Sequence, residues 1–183
     1  MPDGAIERTM VVTFGSGEMA WHDIGDPIMG GVSRGEMLVT GQVGVFTGLL
    51  SLDHGGGFAS VRSSEGRYDL ATFDGLVVRA RADGKRYGLR LRTAAAFDGV
   101  NYQVDLAPDR TWQDLWCPFR DFRPVFRGRP AVGHPPLDPA NIKTFGLIIA
   151  HRQAGPFRLE IESIAAYREW AGYTRLRSIN SAG

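Results

Sequence analysis

The sequence contains a single cysteine, Cys117, among its 183 residues. No disulfide can therefore form within the chain, which is typical of proteins in the reducing cytosol. Long apolar runs are also missing, since no stretch approaches the roughly 20 apolar residues needed to span a bilayer. The opening residues, MPDGAIERTM, lack the basic and apolar segments of a signal peptide. We expect a cytoplasmic protein without a membrane span.

The sequence also lacks an excess of charge of either sign. The formal net charge is only +1, so whole-molecule charge does not favour binding to nucleic acid or to an acidic membrane. Hydrophobic residues make up 43% and charged residues 22% of the chain, as in soluble globular proteins. The length suits one large domain over residues 1–183, and we expect its polar end, residues 170–183, to be a flexible tail.

Helical patterns are weak, whereas strand patterns recur along most of the chain. Apolar residues alternate with polar ones over residues 100–106 and 157–161, as on a strand with one face in the core. Residues 145–150 are apolar throughout, which indicates a central strand covered on both faces. About ten short strands of this kind predict an all-β fold, a β-sandwich, and we favour a jelly roll.

Turn residues predict two of the connections between these strands. Asp83-Gly84 separates the strand at residues 75–82 from the strand at residues 87–92, and this dipeptide favours a β-hairpin. Residues 123–139 are rich in proline, which predicts a long loop. Within that loop, Asp138 and Pro139 have the residue types that cap and open a short helical turn.

Glycine is concentrated in two stretches, residues 21–35 and residues 55–62. Both contain too many glycines for a simple strand, so we expect sharp turns in each. These turns either close the fold, which we favour, or grip a partner. The first stretch also contains the pattern G-x-S-x-G at residues 31–35, which resembles the nucleophile elbow of hydrolases. A strand pattern follows it instead of a helix, so we expect Ser33 to bond turn backbone.

An ordered series of short motifs identifies a family. The motifs are Trp21, Asp26, MGG at 29–31, Ser33, Gly35, FTGLLSL at 46–52, GGFASVR at 56–62, DGKRY at 83–87, CPFRDF at 117–122, PLDP at 136–139, FGLII at 145–149 and GPFRLEI at 155–161. In this order they resemble the complex I intermediate-associated protein 30 (CIA30) family over residues 14–167. The resemblance implies a galactose-binding-like jelly roll and, for the mitochondrial members, a role in the assembly of respiratory complex I. It supplies no catalytic residues.

Metal binding is the weaker interpretation of the acidic residues near the first glycine stretch. His22, Asp23 and Asp26 lie close enough in sequence to share a metal ion. The resemblance also makes a structural calcium conceivable near Asp26 or Asp53, because calcium prefers oxygen ligands. Aspartates that cap turns are far commoner. We therefore predict no metal and no cofactor, and we interpret Cys117 as a small buried hydrophobic residue.

A polar sheet face is the strongest candidate site. Arg79 and Arg81 alternate on one strand, Arg90 and Arg92 on its expected hairpin partner, and Asn101, Gln103 and Asp105 on a third strand. The face is either a solvated outer surface or a surface where guanidinium groups bind an anionic or hydroxyl-rich ligand. Carboxylates at Asp83, Asp105 or Asp114 could offset the repulsion among the arginines. The candidate binding residues are Trp21, Asp26, Arg62, Arg79, Arg81, Asp83, Arg90, Arg92, Gln103 and Trp116.

The sequence therefore predicts a binding protein and not an enzyme. The leading hypothesis, taken from the resemblance, is an assembly factor (chaperone) for respiratory NADH:ubiquinone oxidoreductase, complex I, with a protein partner such as a respiratory-complex subunit. The alternative is a carbohydrate-binding jelly-roll module with a glycan ligand, for which Trp21, Trp112 and Trp116 would be stacking platforms. Exposed aromatic side chains beside the polar face would favour a sugar. We expect Arg79→Ala or Arg90→Ala to weaken partner capture and to leave the fold intact.

Overall fold

The computed structural model describes residues 6–24, 33–53, 57–95 and 99–169. In this part of the chain thirteen strands form two antiparallel sheets, three more strands than the sequence predicted. The strands are β1 (Ile6–Thr13), β2 (Trp21–Asp23), β3 (Arg34–Thr40), β4 (Val43–Leu50), β5 (Ala59–Ser63), β6 (Gly75–Ala82), β7 (Tyr87–Arg92), β8 (Asn101–Leu106), β9 (Gln113–Pro118), β10 (Arg123–Phe126), β11 (Arg129–Pro130), β12 (Thr144–Ile149) and β13 (Gly155–Glu169). The arrangement is a jelly-roll β-sandwich, as predicted.

The six-stranded sheet is organised around its longest strand, β13. Its strand order is β3-β4-β13-β6-β9, and β1 also pairs with β13. The first half of β13 pairs with β4 and the second half with β1, while β6 runs along its other side. A register shift between Ile161 and Ser163 marks a β-bulge, which increases the local twist of the strand.

The seven-stranded sheet has the order β11-β10-β8-β7-β12-β5-β2. Strand β12 lies between β7 and β5, and all six of its residues are buried. The prediction of a central strand covered on both faces is therefore confirmed. The inner face of β12 packs into the sandwich through Phe145, Leu147 and Ile149, and its outer face lies beneath arginine side chains from the two neighbouring strands.

Apolar side chains from the inner faces of both sheets fill the space between them. Phe46 of the six-stranded sheet packs against Phe157, with ring centroids 4.9 Å apart, and against Tyr87 of the other sheet at 6.3 Å. Tyr102 and Leu106 are buried on alternate positions of β8, as the alternating pattern predicted. Burying each large apolar side chain contributes about 1.5–3 kcal/mol, so this layer supplies most of the favourable free energy.

The long loop predicted over residues 123–139 is wrong in part, because this stretch contains a short hairpin, β10 with β11, at the edge of the seven-stranded sheet. The first glycine stretch begins with a strand, β2, which pairs with β5. The sharp turns expected there fall on residues 25–32, outside the described residues. The carboxylate of Asp138 accepts a hydrogen bond from the backbone N–H of Ala140 at 3.1 Å and caps a short 3₁₀ helix, Pro139–Asn141. Asp26, the MGG motif and the expected tail at residues 170–183 lie outside the described residues.

Candidate functional site

The predicted polar face is divided between the two sheets. Strand β6, which carries Arg79 and Arg81, pairs with β13 and β9, whereas β7, which carries Arg90 and Arg92, pairs with β12 and β8. The hairpin predicted between β6 and β7 is therefore wrong. The two arginine pairs lie on the outer faces of opposite sheets, so they cannot contact one small ligand together.

The turn at Asp83 explains the division. Its Oδ1 accepts hydrogen bonds from the Lys85 N–H at 3.0 Å and the Tyr87 hydroxyl at 2.9 Å. Its Oδ2 accepts one from the Arg158 N–H at 3.0 Å. Gly84 has a φ of +90°, which glycine adopts at little cost. The Asp-Gly turn is present, but it carries the chain from one sheet to the other. The structure gives the carboxylate of Asp83 a role in this turn, not among the arginines.

On the seven-stranded sheet, four residues form a continuous line across four strands, which we call the arginine row: Arg62, Gly146, Arg90 and Gln103. Gly146 of β12 is the direct partner of Arg62 on β5 and of Arg90 on β7, and Arg90 is the partner of Gln103 on β8. Directly paired residues point to the same face of a sheet. The Arg90 Nε–H donates a hydrogen bond to Gln103 Oε1 at 2.8 Å.

A small pocket lies in the outer face beside Gly146. Its lining residues come from β5, β7, β8 and β12, and from Ile24 directly after β2: Ile24, Ser60, Val61, Arg62, Arg90, Arg92, Asn101, Thr144 and Gly146. The cavity volume is about 10 Å³, which is about the space that one water molecule needs. Thr144 is only 4% exposed, and its Oγ1 has no hydrogen-bond partner within the described residues. The pocket therefore contains a buried hydroxyl that is available to an incoming acceptor.

The charges around this pocket are close together and partly buried. Burial, followed by the charge of Arg92, lowers the pKa of Arg62 to about 10. Burial, followed by the charges of Arg62 and Arg92, lowers the pKa of Arg90 to about 10. Both side chains remain protonated at neutral pH. No carboxylate in the described residues forms an ion pair with Arg62 or Arg90.

The outer face of the six-stranded sheet has a different charge balance, because carboxylates are interleaved with its arginines. Arg79 pairs with Asp114 at 3.4 Å and with Glu162 at 3.8 Å, and Arg81 pairs with Glu160 at 2.6 Å. Asp114 is therefore one of the offsetting carboxylates that the sequence suggested. Asp105 instead pairs with Arg86 at 3.3 Å. The charges of this face are largely satisfied by one another.

Glu160 is the centre of that network. Burial tends to raise its pKa, but hydrogen bonds and positive charges from Arg81 and Arg158 outweigh burial and lower the pKa below its ordinary 4.5. Glu162 lies at the β-bulge between Ile161 and Ser163 and binds Arg79. The two glutamates are thus held by separate arginines.

The described tryptophans lie away from the arginine row. Trp21 is half-buried and stacks on Phe14, with ring centroids 6.0 Å apart. Trp116 is 40% exposed on the six-stranded sheet, where the guanidinium of Arg8 lies 4.7 Å from its ring centroid. The Arg81 guanidinium lies 4.9 Å from the ring of Trp112. Of the three rings that we predicted as stacking platforms, Trp112 and Trp116 are therefore occupied by cation–π contacts and Trp21 by Phe14.

The residues that resemble catalytic groups have structural surroundings. Ser33 is fully buried, and its Oγ donates to the Ser51 carbonyl and accepts from the Ser51 N–H, both at 3.0 Å. Strand β3 follows it instead of a helix, so the G-x-S-x-G segment does not form a nucleophile elbow. Burial, with a smaller contribution from the charge of Asp121, raises the pKa of the Cys117 thiol to about 12. Within the described ranges no three His, Cys, Asp or Glu residues gather around a metal position.

The comparison with known families assigns the chain. A model of the family described as complex I intermediate-associated protein 30 (CIA30) matches residues 12–161. The chain belongs to the CIA30 family. It is 27% identical over 141 residues to an uncharacterized protein of Schizosaccharomyces pombe, covering 69% of this chain and 64% of that protein. It is also 27% identical over 143 residues to the mitochondrial complex I intermediate-associated protein 30 of Drosophila melanogaster, covering 66% and 48%.

Solved structures resemble this CIA30 chain in fold. The family 11 carbohydrate-binding module of a Clostridium thermocellum cellulosomal cellulase superposes with a TM-score of 0.64 at 18% identity, covering 91% of this chain and 96% of that one. The same type of module in complex with a mixed-linked tetrasaccharide gives a TM-score of 0.61 at 18% identity, covering 87% and 94%. At this identity the likeness shows the galactose-binding-like jelly roll and nothing of the ligand. In the described part of the chain no helix is long and apolar enough to cross a membrane.

Thr144 and Gly146 line the candidate pocket and were not among the predicted binding residues. Gly146 interrupts the apolar run FGLII, and a glycine inside a buried strand signals a close approach of backbone or ligand. That signal was present in the sequence. Thr144 gave no comparable signal, because its role depends on lying opposite Arg92 in the paired strands.

Proposed function

We propose that this CIA30-family chain is a non-catalytic binding protein whose partner is a protein, in a role like that of an assembly factor (chaperone) for respiratory NADH:ubiquinone oxidoreductase, complex I. Membership of the family is the observation that carries the proposal. The mitochondrial relative from Drosophila bears the name of a complex I intermediate-associated protein. The chain spans only 64% and 48% of the lengths of the two curated relatives, so their activities enter as proposals.

The outer face of the seven-stranded sheet is the proposed binding surface. Arg62 and Arg90 bring adjacent positive charges together without an ion-pair partner in the described residues. Repulsion between the two guanidinium groups does not stabilise the fold. Their combined positive charge, however, would attract an anionic group to a binding site. The arginines of the other sheet are already paired with carboxylates. The proposed surface therefore includes Arg62, Arg90, Arg92 and Gln103 of the predicted candidates and leaves Arg79 and Arg81 outside.

The alternative proposal is a carbohydrate-binding module. It is supported by the fold that the chain shares with a module seen in complex with a tetrasaccharide. Sugar-binding surfaces commonly use aromatic rings as apolar platforms. Trp21 stacks on Phe14, and Trp112 and Trp116 contact arginines on the opposite sheet, which weighs against a sugar at the arginine row. We therefore rank this function second.

Affinity capture tests the two functions side by side. The full chain is used as bait on native membranes and on cytosol, bound proteins are identified by mass spectrometry, and the same bait is applied to a glycan array. Enrichment of respiratory complex I subunits is the result expected of an assembly factor. Array hits without those subunits would assign the chain to carbohydrate binding. Fractionation of cells that contain the chain, into membranes and cytosol, tests the proposed location. That location is the cytoplasm, with membrane attachment only through the partner.

A further inference from the structure

Gly146 has no side chain, so the space above its backbone between Arg62 and Arg90 is open. It lies directly between Arg62 and Arg90 in the sheet. A Cβ atom built on Gly146 would lie 3.1 Å from the Val61 carbonyl oxygen and 3.5 Å from the Arg90 Cβ. A side chain there would fill the space between the two arginine stems. The absence of one gives a ligand atom access to the centre of the row.

The hydroxyl of Thr144 adds a polar group to the same pocket. Thr144 lies two residues before Gly146 on β12, on the same face of the strand, and both residues line the pocket. A buried hydroxyl without a hydrogen-bond partner destabilises the fold. A ligand oxygen that accepts a hydrogen bond from Thr144 Oγ1 would recover that free energy. The arginine side chains only donate, and the threonine hydroxyl can donate, so the ligand that these groups bind together is a hydrogen-bond acceptor.

The size of the pocket selects the shape of the ligand. A volume of about 10 Å³ admits one oxygen atom and excludes a sugar ring. The group that enters is therefore the oxygen-bearing tip of a longer chain, and the rest of that chain lies across the sheet. A carboxylate on a short flexible stem has this shape, and arginine binds carboxylates through paired N–H donors. Ile24, which lines the pocket, provides apolar surface for the stem.

We propose that the pocket at Gly146 binds the carboxylate of an aspartate or glutamate side chain in an acidic segment of a protein partner. Arg62 and Arg90 hold the carboxylate from its two sides, and Thr144 donates a hydrogen bond to the inserted oxygen. The identity of the partner as a protein rests on the proposed function. The pocket volume and the distance of the tryptophans from the row favour an acidic peptide over an anionic polysaccharide.

Peptide binding tests the pocket directly. The probe is a short fluorescein-labelled peptide that alternates glutamate with glycine, compared with the same peptide carrying glutamine, by fluorescence anisotropy at about 150 mM NaCl so that distant charges are screened. We expect the glutamate peptide to bind at least about tenfold more tightly. Arg62→Gln and Arg90→Gln should each weaken its binding by about 10- to 100-fold, the range for one charge-assisted hydrogen bond. Arg8→Gln, an arginine of the opposite sheet paired with Asp114, is the matched control and should bind as the wild type does.

Thr144→Val separates a role in binding from a role in folding. The substitution keeps the shape and removes the unpartnered hydroxyl, so we expect a more stable protein that binds the glutamate peptide several-fold more weakly. Equal affinity for the two peptides, or unchanged affinity in both arginine variants, would overturn the proposal. Binding of oligogalacturonate, lost in the same variants, without binding of the glutamate peptide would overturn the protein partner and assign the pocket to a sugar acid.

The peptide assay and the capture experiment fail independently of each other. If the glutamate peptide binds and complex I subunits are not captured, the carboxylate pocket stands and the assembly role is wrong. If the subunits are captured equally well by Arg62→Gln, the assembly role stands and the pocket is not the docking point.

Discussion

Arg62 and Arg90 lie on opposite sides of Gly146, each directly paired with it in the seven-stranded sheet. Their positive charges are partly buried, and each lies close enough to Arg92 for that charge to lower its pKa. The arginines of the other sheet are paired with Asp114, Glu160 and Glu162. The contrast within one molecule supports the proposal that the row serves recognition, because packing alone does not favour adjacent like charges.

Removing one charge from the row should stabilise the fold. In Arg62→Met the unbranched stem is kept and the repulsion with Arg90 and Arg92 is lost, so we expect the free energy of unfolding to rise by about 0.5 kcal/mol, the scale for partly exposed charges. The gain should shrink at high salt. Urea unfolding at low and high NaCl measures both effects. Arg8→Met, which loses the ion pair with Asp114, should show no gain. A loss of stability in Arg62→Met would contradict the repulsion.

A methyl group at Gly146 should close the pocket. In Gly146→Ala the new Cβ lies 3.1 Å from the Val61 carbonyl oxygen, so the neighbouring strand must shift by a small distance. We expect a loss of about 1 kcal/mol in the free energy of unfolding, the lower end for overpacking. Affinity for the glutamate peptide should fall by about tenfold. Circular dichroism checks that the sheet remains. Unchanged affinity would show that the ligand does not reach the backbone of Gly146.

Glu160 should contribute to stability only while it is ionised. Its pKa in the folded protein is lowered by Arg81 and Arg158, so its contribution is present above the unfolded pKa and is lost as the pH falls through the folded value. Glu160→Gln should lower the free energy of unfolding by about 1 kcal/mol at neutral pH. The difference from wild type should shrink as the pH falls below the ordinary glutamate value of 4.5 and through the lower folded pKa. Unfolding at a series of pH values measures it, and a difference independent of pH would contradict the ion-pair explanation.

Cys117 should be unreactive in the folded protein. It is 2% exposed, and burial followed by the charge of Asp121 raises its pKa to about 12. Because the thiolate is the reactive species, iodoacetamide at about pH 8 should modify the folded chain more slowly than the urea-unfolded chain by at least about 100-fold. Mass spectrometry of timed samples gives both rates. Similar rates for the two states would reopen the question of a nucleophilic role.

Much of the fold could be predicted from local patterns. The alternation at residues 100–106 and the apolar run at residues 145–150 identified β8 and β12. A strand buried on one face has alternating apolar residues, and a strand buried on both faces has a continuous apolar run. The prolines at residues 124 and 130 misled the prediction for another physical reason. Proline cannot donate a hydrogen bond inside a sheet, but an edge strand tolerates it, and β10 and β11 lie at such an edge.

The candidate site could be predicted only in part. The arginines of β7 were recognisable as outward-facing polar residues, but the Asp83-Gly84 turn did not reveal that the chain crosses between sheets there. That outcome depends on the hydrogen bond from the Arg158 N–H to Asp83, a contact between distant parts of the sequence. Arg62, Gly146 and Arg90 are likewise brought side by side by the register of β5, β12 and β7. That register depends on pairing between strands that are far apart in the sequence.

Quantitative capture with matched variants tests the central claim, that the arginine row is the surface that recognises a protein partner. Wild type, Arg90→Ala and Arg8→Ala are used as baits on the same native membrane and cytosolic extracts, and bound complex I subunits are quantified by mass spectrometry. We expect wild type and Arg8→Ala to retain these subunits at similar yields and Arg90→Ala to lose at least about nine-tenths of the yield, which corresponds to about tenfold weaker binding. Equal yields from Arg90→Ala and wild type, with both proteins folded, would contradict the claim.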